Sequence, residues 1–237
     1  MANSKILKGT AILGIAGIFV KILGAVFRIP LTALIGTEGM AYYGYAYPLY
    51  SLFLVIATAG IPVAISRMVS ERIASGDFAG AQRVFGVSRW LLLGIGVFAF
   101  AVCFFGAELI AEYVSKDMGA VLPIKAIAPA LIFVPVMSAY RGYFQGRQNM
   151  NPTAISQFIE QIFRVAVGLV LASVFVTKGL EMAAAGATFG ATVGSVAGLA
   201  VIMIIYALNK RAIKYHLRHS RSTQGAVSYT HLTLPTI

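Results

Sequence analysis

The residues able to do chemistry in this chain are few and sit in unusual surroundings. Lys21 and Arg28 interrupt an apolar stretch near the N-terminus, and Gln157, Glu160, Gln161 and Arg164 interrupt another. A basic side chain at mid-bilayer costs about 2.5–3.5 kcal/mol on insertion scales, so it faces a cavity or a partner. Lys21 and Arg28 are seven residues apart, two helical turns or about 10 Å on nearly one face. Gly24 lies between them and admits a ligand close to the backbone. Arg28, near the end of its span, is alternatively a snorkelling side chain. Glu160 and Arg164 stand four apart, in the order that favours a helical ion pair. They are read either as ligands with Gln157 or as a pair neutralised between helices. Lys125 is expected to snorkel.

Catalytic patterns are missing: there is no HExxH, no GxSxG, no phosphate-binding Walker loop and no dinucleotide fingerprint. His216 and His219 fall in a basic segment and His231 near the C-terminus. The single cysteine, Cys103, has no partner for a disulfide or a metal cluster and is read as structural. The sequence therefore points to binding or transport, with no cofactor, rather than to an enzyme.

The elements that must position these residues follow from composition. Of the 237 residues 59% are hydrophobic and 11% charged, against roughly 25% charged in soluble domains. The apolar residues fall in blocks of the ~20 residues needed to cross a hydrocarbon core. Six spans are expected: Gly9 to Ile35, Tyr42 to Ser66, Val87 to Glu112, Val121 to Gln145, Thr153 to Thr177 and Met182 to Leu208. The basic start and short apolar run through Val20 imitate a signal peptide, but the run resumes after Lys21, so an uncleaved first helix is expected. Around Glu71 to Phe85 either an interfacial helix or a solvated loop fits.

The net charge of +11 comes from basic residues between apolar blocks, so anionic headgroups, not nucleic acid, are the expected partner. In alternate loops, one set holds Lys5, Lys8, Arg67, Arg72, Arg83, Arg89, Arg141, Arg147, Lys210, Arg211, Lys214, Arg218 and Arg221, and the other only Lys116 and Lys178. Thirteen against two predicts six spans with both ends in the cytoplasm. Pro30, Pro129 and Pro135 predict kinks. Gly186, Gly190, Gly194 and Gly198 put small residues on one face of the sixth helix, which should pack on another helix. The end of the chain differs in kind: VSYTHLTLPTI resembles a translated sequencing adapter. The expected organisation is one six-helix unit over 1–224 and a non-native tail over 225–237.

Two segments carry a resemblance. KILKGTAILGIAGIFVKILGAVFRIPLTALIG from Lys5, continuing to GIPVAISRMVSE from Gly60, is one; LPIKAIAPALIFVPVMSAYRGYFQGRQNMNPTAISQFIEQIFRV from Leu122 is the other. Over about residues 5–215 the chain resembles the polysaccharide-biosynthesis branch of the multidrug/oligosaccharidyl-lipid/polysaccharide exporter superfamily. Within it the chain is most similar to the Gram-positive lipid II flippase and stage V sporulation protein B group. The resemblance implies an all-α membrane protein of twelve or more helices, two six-helix lobes around a central cavity, and alternating access. This chain would supply the N-terminal lobe and need a C-terminal one. It also implies a cationic cavity for the pyrophosphate of an undecaprenyl-linked sugar in the bacterial plasma membrane, to which Lys21, Gly24 and Arg28 correspond. The chain departs from that pattern in having Lys at position 21 instead of Arg, in the spacing to Arg28, and in Leu52 and Phe53 where members can carry arginine. A cation-coupled drug antiporter on the same fold and a non-transporting scaffold are the rival readings.

Overall fold

A computed structural model describes residues 2–58 and 60–209. The adapter-like tail at 225–237 and the basic segment from Lys210 to Arg221 lie outside them. The described chain is all helix: α1 Ala2–Thr58, α2 Ile61–Ala74, α3 Phe78–Phe105, α4 Ala107–Ile110, α5 Val121–Ile127, α6 Ala130–Gly146, α7 Asn151–Phe175 and α8 Leu180–Leu208. A π-helical turn at Ala111–Ser115 and 3-10 turns at Met118–Ala120 and Val176–Lys178 fill the connections. Among the described residues five stretches are long and apolar enough to cross a membrane: Ala11–Phe53, Phe78–Phe105, Met118–Gly146, Asn151–Lys178 and Leu180–Leu208. The protein is a multi-pass membrane protein.

The boundaries differ from the expectation in ways with local causes. The first two expected spans run together in α1, whose only non-helical residue is Gly36, at φ 65° and ψ −171°. That left-handed φ is open to glycine and strained for a side chain. The second expected span also breaks where Gly60 adopts φ 74°, and α2 then runs on to Ala74, past the expected end at Ser66. Around Glu71 to Phe85 there is neither a long loop nor a separate interfacial helix. A turn links α2 directly to α3, which begins nine residues before the expected Val87 because Asp77 caps it, accepting from Gly80 N at 2.7 Å. The kink expected at Pro129 is a break between α5 and α6, whereas Pro30 and Pro135 lie inside helices.

Packing is organised by α8. A Cβ added at Gly190 would lie 2.5 Å from the Arg164 carbonyl oxygen and 2.7 Å from Gly168 Cα, and one at Gly194 would lie 2.5 Å from the Glu160 carbonyl oxygen. Gly186 and Gly198 meet Leu171 and Ser156 of the same helix at 2.9 Å and 3.1 Å. The glycine face expected to pack on another helix thus lies against α7, with backbone on backbone. On the side of α5, Thr188 Oγ1 donates to the Pro123 carbonyl at 3.1 Å and Thr192 Oγ1 to the Ala126 carbonyl at 2.9 Å. The second of these satisfies a carbonyl at the end of α5, where the helical ladder stops.

Both arms of α1 lean on this scaffold. Phe19 stacks on Phe158 of α7 at 4.8 Å between ring centroids. Phe27, Leu31, Ile35 and Tyr43 share a core with Ala172, Ala183, Ala184 and Ala187. At one end Gln82 donates to Tyr206 Oη and accepts from Tyr143 Oη, joining α3, α6 and α8 through a cluster that includes Phe85 and Tyr140.

Leucine at Gly190 or Gly194 has nowhere to go without parting α7 from α8. Each substitution is expected to destabilise by about 1–3 kcal/mol, read as a lower melting temperature in detergent. A second outcome concerns Asp77, whose carboxyl is held below its usual range by the Gly80 N–H and then by Arg72 at 2.8 Å. A carboxyl with a depressed folded pKa contributes stability above its unfolded pKa and loses it as pH falls through the folded value. Asp77→Ala should therefore cost about 1 kcal/mol at neutral pH, and the gap from the parent protein should close as pH drops below about 4.

Candidate functional site

The first arm of α1, the part of α1 after Gly36 and the middle of α7 line a half-open cavity of about 390 Å³. It is lined by Val20, Lys21, Gly24, Ala25, Phe27, Arg28, Tyr43, Tyr47, Gln161 and Arg164. Lys21 and Arg28 are presented on the same side by their two-turn spacing, with Gly24 between them. A Cβ at Gly24 would stand 3.4 Å from Gln161 Nε2, at the near edge of ordinary contact, so the helix lies close to the floor of the cavity here. Three of the lining residues are cationic and none is a carboxylate. Among the described residues neither Lys21 nor Arg28 has an ion-pair partner. Tyr43 and Tyr47 stack at 5.5 Å and supply an aromatic wall.

Behind Arg164 lies a compact charge cluster. Glu160 Oε1 accepts from Arg164 Nη2 at 2.6 Å, and Glu160 Oε2 accepts from Arg141 Nη2 at 2.9 Å. Arg141 Nε donates to Ser156 Oγ at 3.0 Å, and that hydroxyl donates to the Thr153 carbonyl at 2.9 Å. Arg164 Nη1 reaches Tyr47 Oη at 3.3 Å. The three charged side chains are 12–16% exposed. One carboxylate for two guanidiniums leaves a net positive charge in a sheltered place, where charge acts more strongly than in water.

The structure brings Lys21, Arg28 and Arg164 together around one space. Glu160 stands behind it and does not line it. Gln157, the remaining candidate, is one helical turn before Gln161 on α7, away from the cavity lining, and its Oε1 is buried without a hydrogen-bond partner. The self-neutralised pair envisaged for Glu160 and Arg164 is incomplete as a description, because Arg141 shares the carboxylate. Arg141 lies inside α6, within the expected span Val121 to Gln145. No short-range spacing connects positions 141 and 160. The connection comes from the tight turn at Arg147 to Met150, which folds α7 back beside α6. Lys125, expected to snorkel, is paired with Glu108 at 2.8 Å. Among the described residues no group of three or more His, Cys, Asp or Glu is placed to hold a metal. Tyr43 and Tyr47 were not singled out from sequence, although their four-residue spacing puts them on one helix face.

The chain is 35% identical over 240 residues to Stage V sporulation protein B of Bacillus subtilis (strain 168), covering 100% of this chain and 46% of that protein. It is 38% identical over 221 residues to Lipid II flippase MurJ of the same organism, covering 88% and 40%. A third relative, uncharacterized membrane protein YabM of Bacillus subtilis, is 33% identical over 226 residues, covering 95% and 41%. The chain thus spans less than half the length of these relatives. No solved structure matches it. The profile of the family described as Polysaccharide biosynthesis protein matches residues 6–226, and with nearly the whole chain inside that match, the protein belongs to the polysaccharide biosynthesis protein family.

Proposed function

We propose that this chain forms the N-terminal lobe of a flippase that moves undecaprenyl-diphosphate-linked envelope sugars, lipid II or a polysaccharide precursor, across the bacterial plasma membrane. The observation that carries the proposal is the cavity lined by Lys21, Arg28 and Arg164 with no carboxylate. A diphosphate offers several acceptor oxygens, and charge-assisted hydrogen bonds to it are strong in a sheltered, apolar-walled space. The headgroup sits among these cations while the prenyl tail stays in lipid. A second lobe completes the cavity, and rocking of the two gives access from alternate sides. The name of one relative, a lipid II flippase, supports the reading. Its main rival, a cation-coupled antiporter, requires a carboxylate free to take the coupling ion. Glu160 has both oxygens engaged by guanidiniums, which disfavours that role.

In this proposal the lobe has six spans. The 43-residue stretch Ala11–Phe53 is roughly 65 Å long at 1.5 Å per residue, about twice a ~30 Å hydrocarbon core. Gly36 is then the turning point between two spans. With both ends cytoplasmic, single cysteines at Glu38, Lys116 and Lys178 should react with an impermeant thiol reagent from outside intact cells, and one at Gly76 should not. External labelling at Gly76 overturns the topology.

For the site, Lys21→Ala and Arg28→Ala in a two-lobe protein carrying this chain should each impair rescue of flippase-depleted cells at normal protein abundance. Removing a charged hydrogen bond worth roughly 1.5–3 kcal/mol should weaken diphosphate binding by about tenfold or more. Lys21→Arg should retain more activity than Lys21→Ala. Full rescue by the double alanine variant removes the cationic-site mechanism, and harmless replacement of Arg28 by Gln assigns that side chain to snorkelling.

A further inference from the structure

We infer that Arg141 is a positioning residue that sets how much positive charge Arg164 presents to the cavity, without itself touching the ligand. The inference rests on the headgroup-binding reading above and adds a residue from a different helix. Arg141 does not line the cavity. It holds one oxygen of Glu160 while Arg164 holds the other.

The division of that carboxylate has a direct electrostatic consequence. A carboxylate facing a lone guanidinium engages it through both oxygens, in the paired geometry that planar forks favour. Here Arg164 receives a single oxygen at 2.6 Å. Among the described residues its Nη1 is satisfied only by Tyr47 at 3.3 Å, and its buried Nε has no hydrogen-bond partner. The cluster is fixed from both sides. The Glu160 carbonyl is 2.5 Å from where a Cβ of Gly194 would be, so the α7 backbone has no room to move toward α8. On the other side, Ser156 anchors Arg141 through Nε. With the carboxylate held in place and shared, Arg164 keeps donors and net charge for an anion in the cavity.

Loss of Arg141 hands both carboxylate oxygens to Arg164, which is then neutralised and drawn back. Loss of the Glu160 charge does the reverse and releases Arg164. The two substitutions therefore have opposite effects on anion affinity, although both remove the same ion pair. A cluster that served packing alone gives no such reversal of sign.

The test uses the full chain in lipid nanodiscs, titrated calorimetrically with farnesyl diphosphate at fixed ionic strength, with thermal melting followed in parallel. Arg141→Gln should weaken binding by about fivefold or more, the lower range of ordinary site-to-site coupling. Glu160→Gln should tighten it, the double variant should return close to the parent affinity, and Arg141→Lys, which keeps a point charge on Glu160, should recover most of it. Parent-like binding by Arg141→Gln, or weakening by Glu160→Gln, overturns the inference. If Arg141→Gln fails to fold, the signs shown by Glu160→Gln and Arg141→Lys still decide. Lys21→Ala and Arg28→Ala separate the two levels. If those variants lose affinity and Arg141→Gln does not, only the role of Arg141 falls. If the parent chain does not bind farnesyl diphosphate, the headgroup reading falls and this inference falls with it.

Discussion

The close contact of α7 with α8 is the constraint on which the rest of the structure depends. In lipid no hydrophobic force drives helices together, so association relies on packing and hydrogen bonds. The four glycines of α8 supply that packing by letting the two backbones meet. The same contact fixes the depth and rotation of Glu160 and Arg164, whose backbone atoms lie directly under Gly194 and Gly190. The polar chemistry of the chain is thus mounted on its least polar surface.

A second level of organisation follows from electrostatics. Buried ion pairs are weak evidence for stability, since desolvation offsets much of the attraction. The value of the Arg141, Glu160 and Arg164 cluster is better understood as placement of charge. It leaves Arg164 facing a half-open space in which, among the described residues, Lys21 and Arg28 have no carboxylate partner. The stacked tyrosines and Gln161 give the walls polar points without negative charge. An arrangement of that kind leaves its positive charge incompletely answered.

Much of this was legible in the sequence because membranes simplify folding rules. Block length revealed the spans, and the four-residue recurrence of glycine in α8 identified the packing face before its partner was known. The pairing of Lys21 with Arg28 needed only helical geometry. What escaped was non-local or conformational. Arg141 reaches Glu160 only because α6 and α7 fold back on each other. The long run of α1 through Gly36 was hidden because Thr37, Glu38 and Gly39 read as a loop between two spans, whereas they continue the helix. Asp77 carried a readable signal as an N-cap, but the apolar block that begins later drew the start of α3 inward. The segment from Arg141 to Gln157 that carries the family resemblance contains Arg141 and Ser156, but nothing in it indicated the contact of Arg141 with Glu160.

The break at Pro129 has a mechanical meaning that its sequence signature does not convey. Thr188 and Thr192 tie the α5 side to α8, and Met137 of α6 lies against Gly198 of the same helix. Both halves of the broken helix are therefore stitched to one strut. Flexing about Pro129 has to tear those stitches, so the bend behaves as a welded elbow. At Gly36 and Gly60 an added Cβ meets nothing within 4 Å. These two left-handed breaks bound the second arm of α1, the helix that carries Tyr43 and Tyr47 along one wall of the cavity.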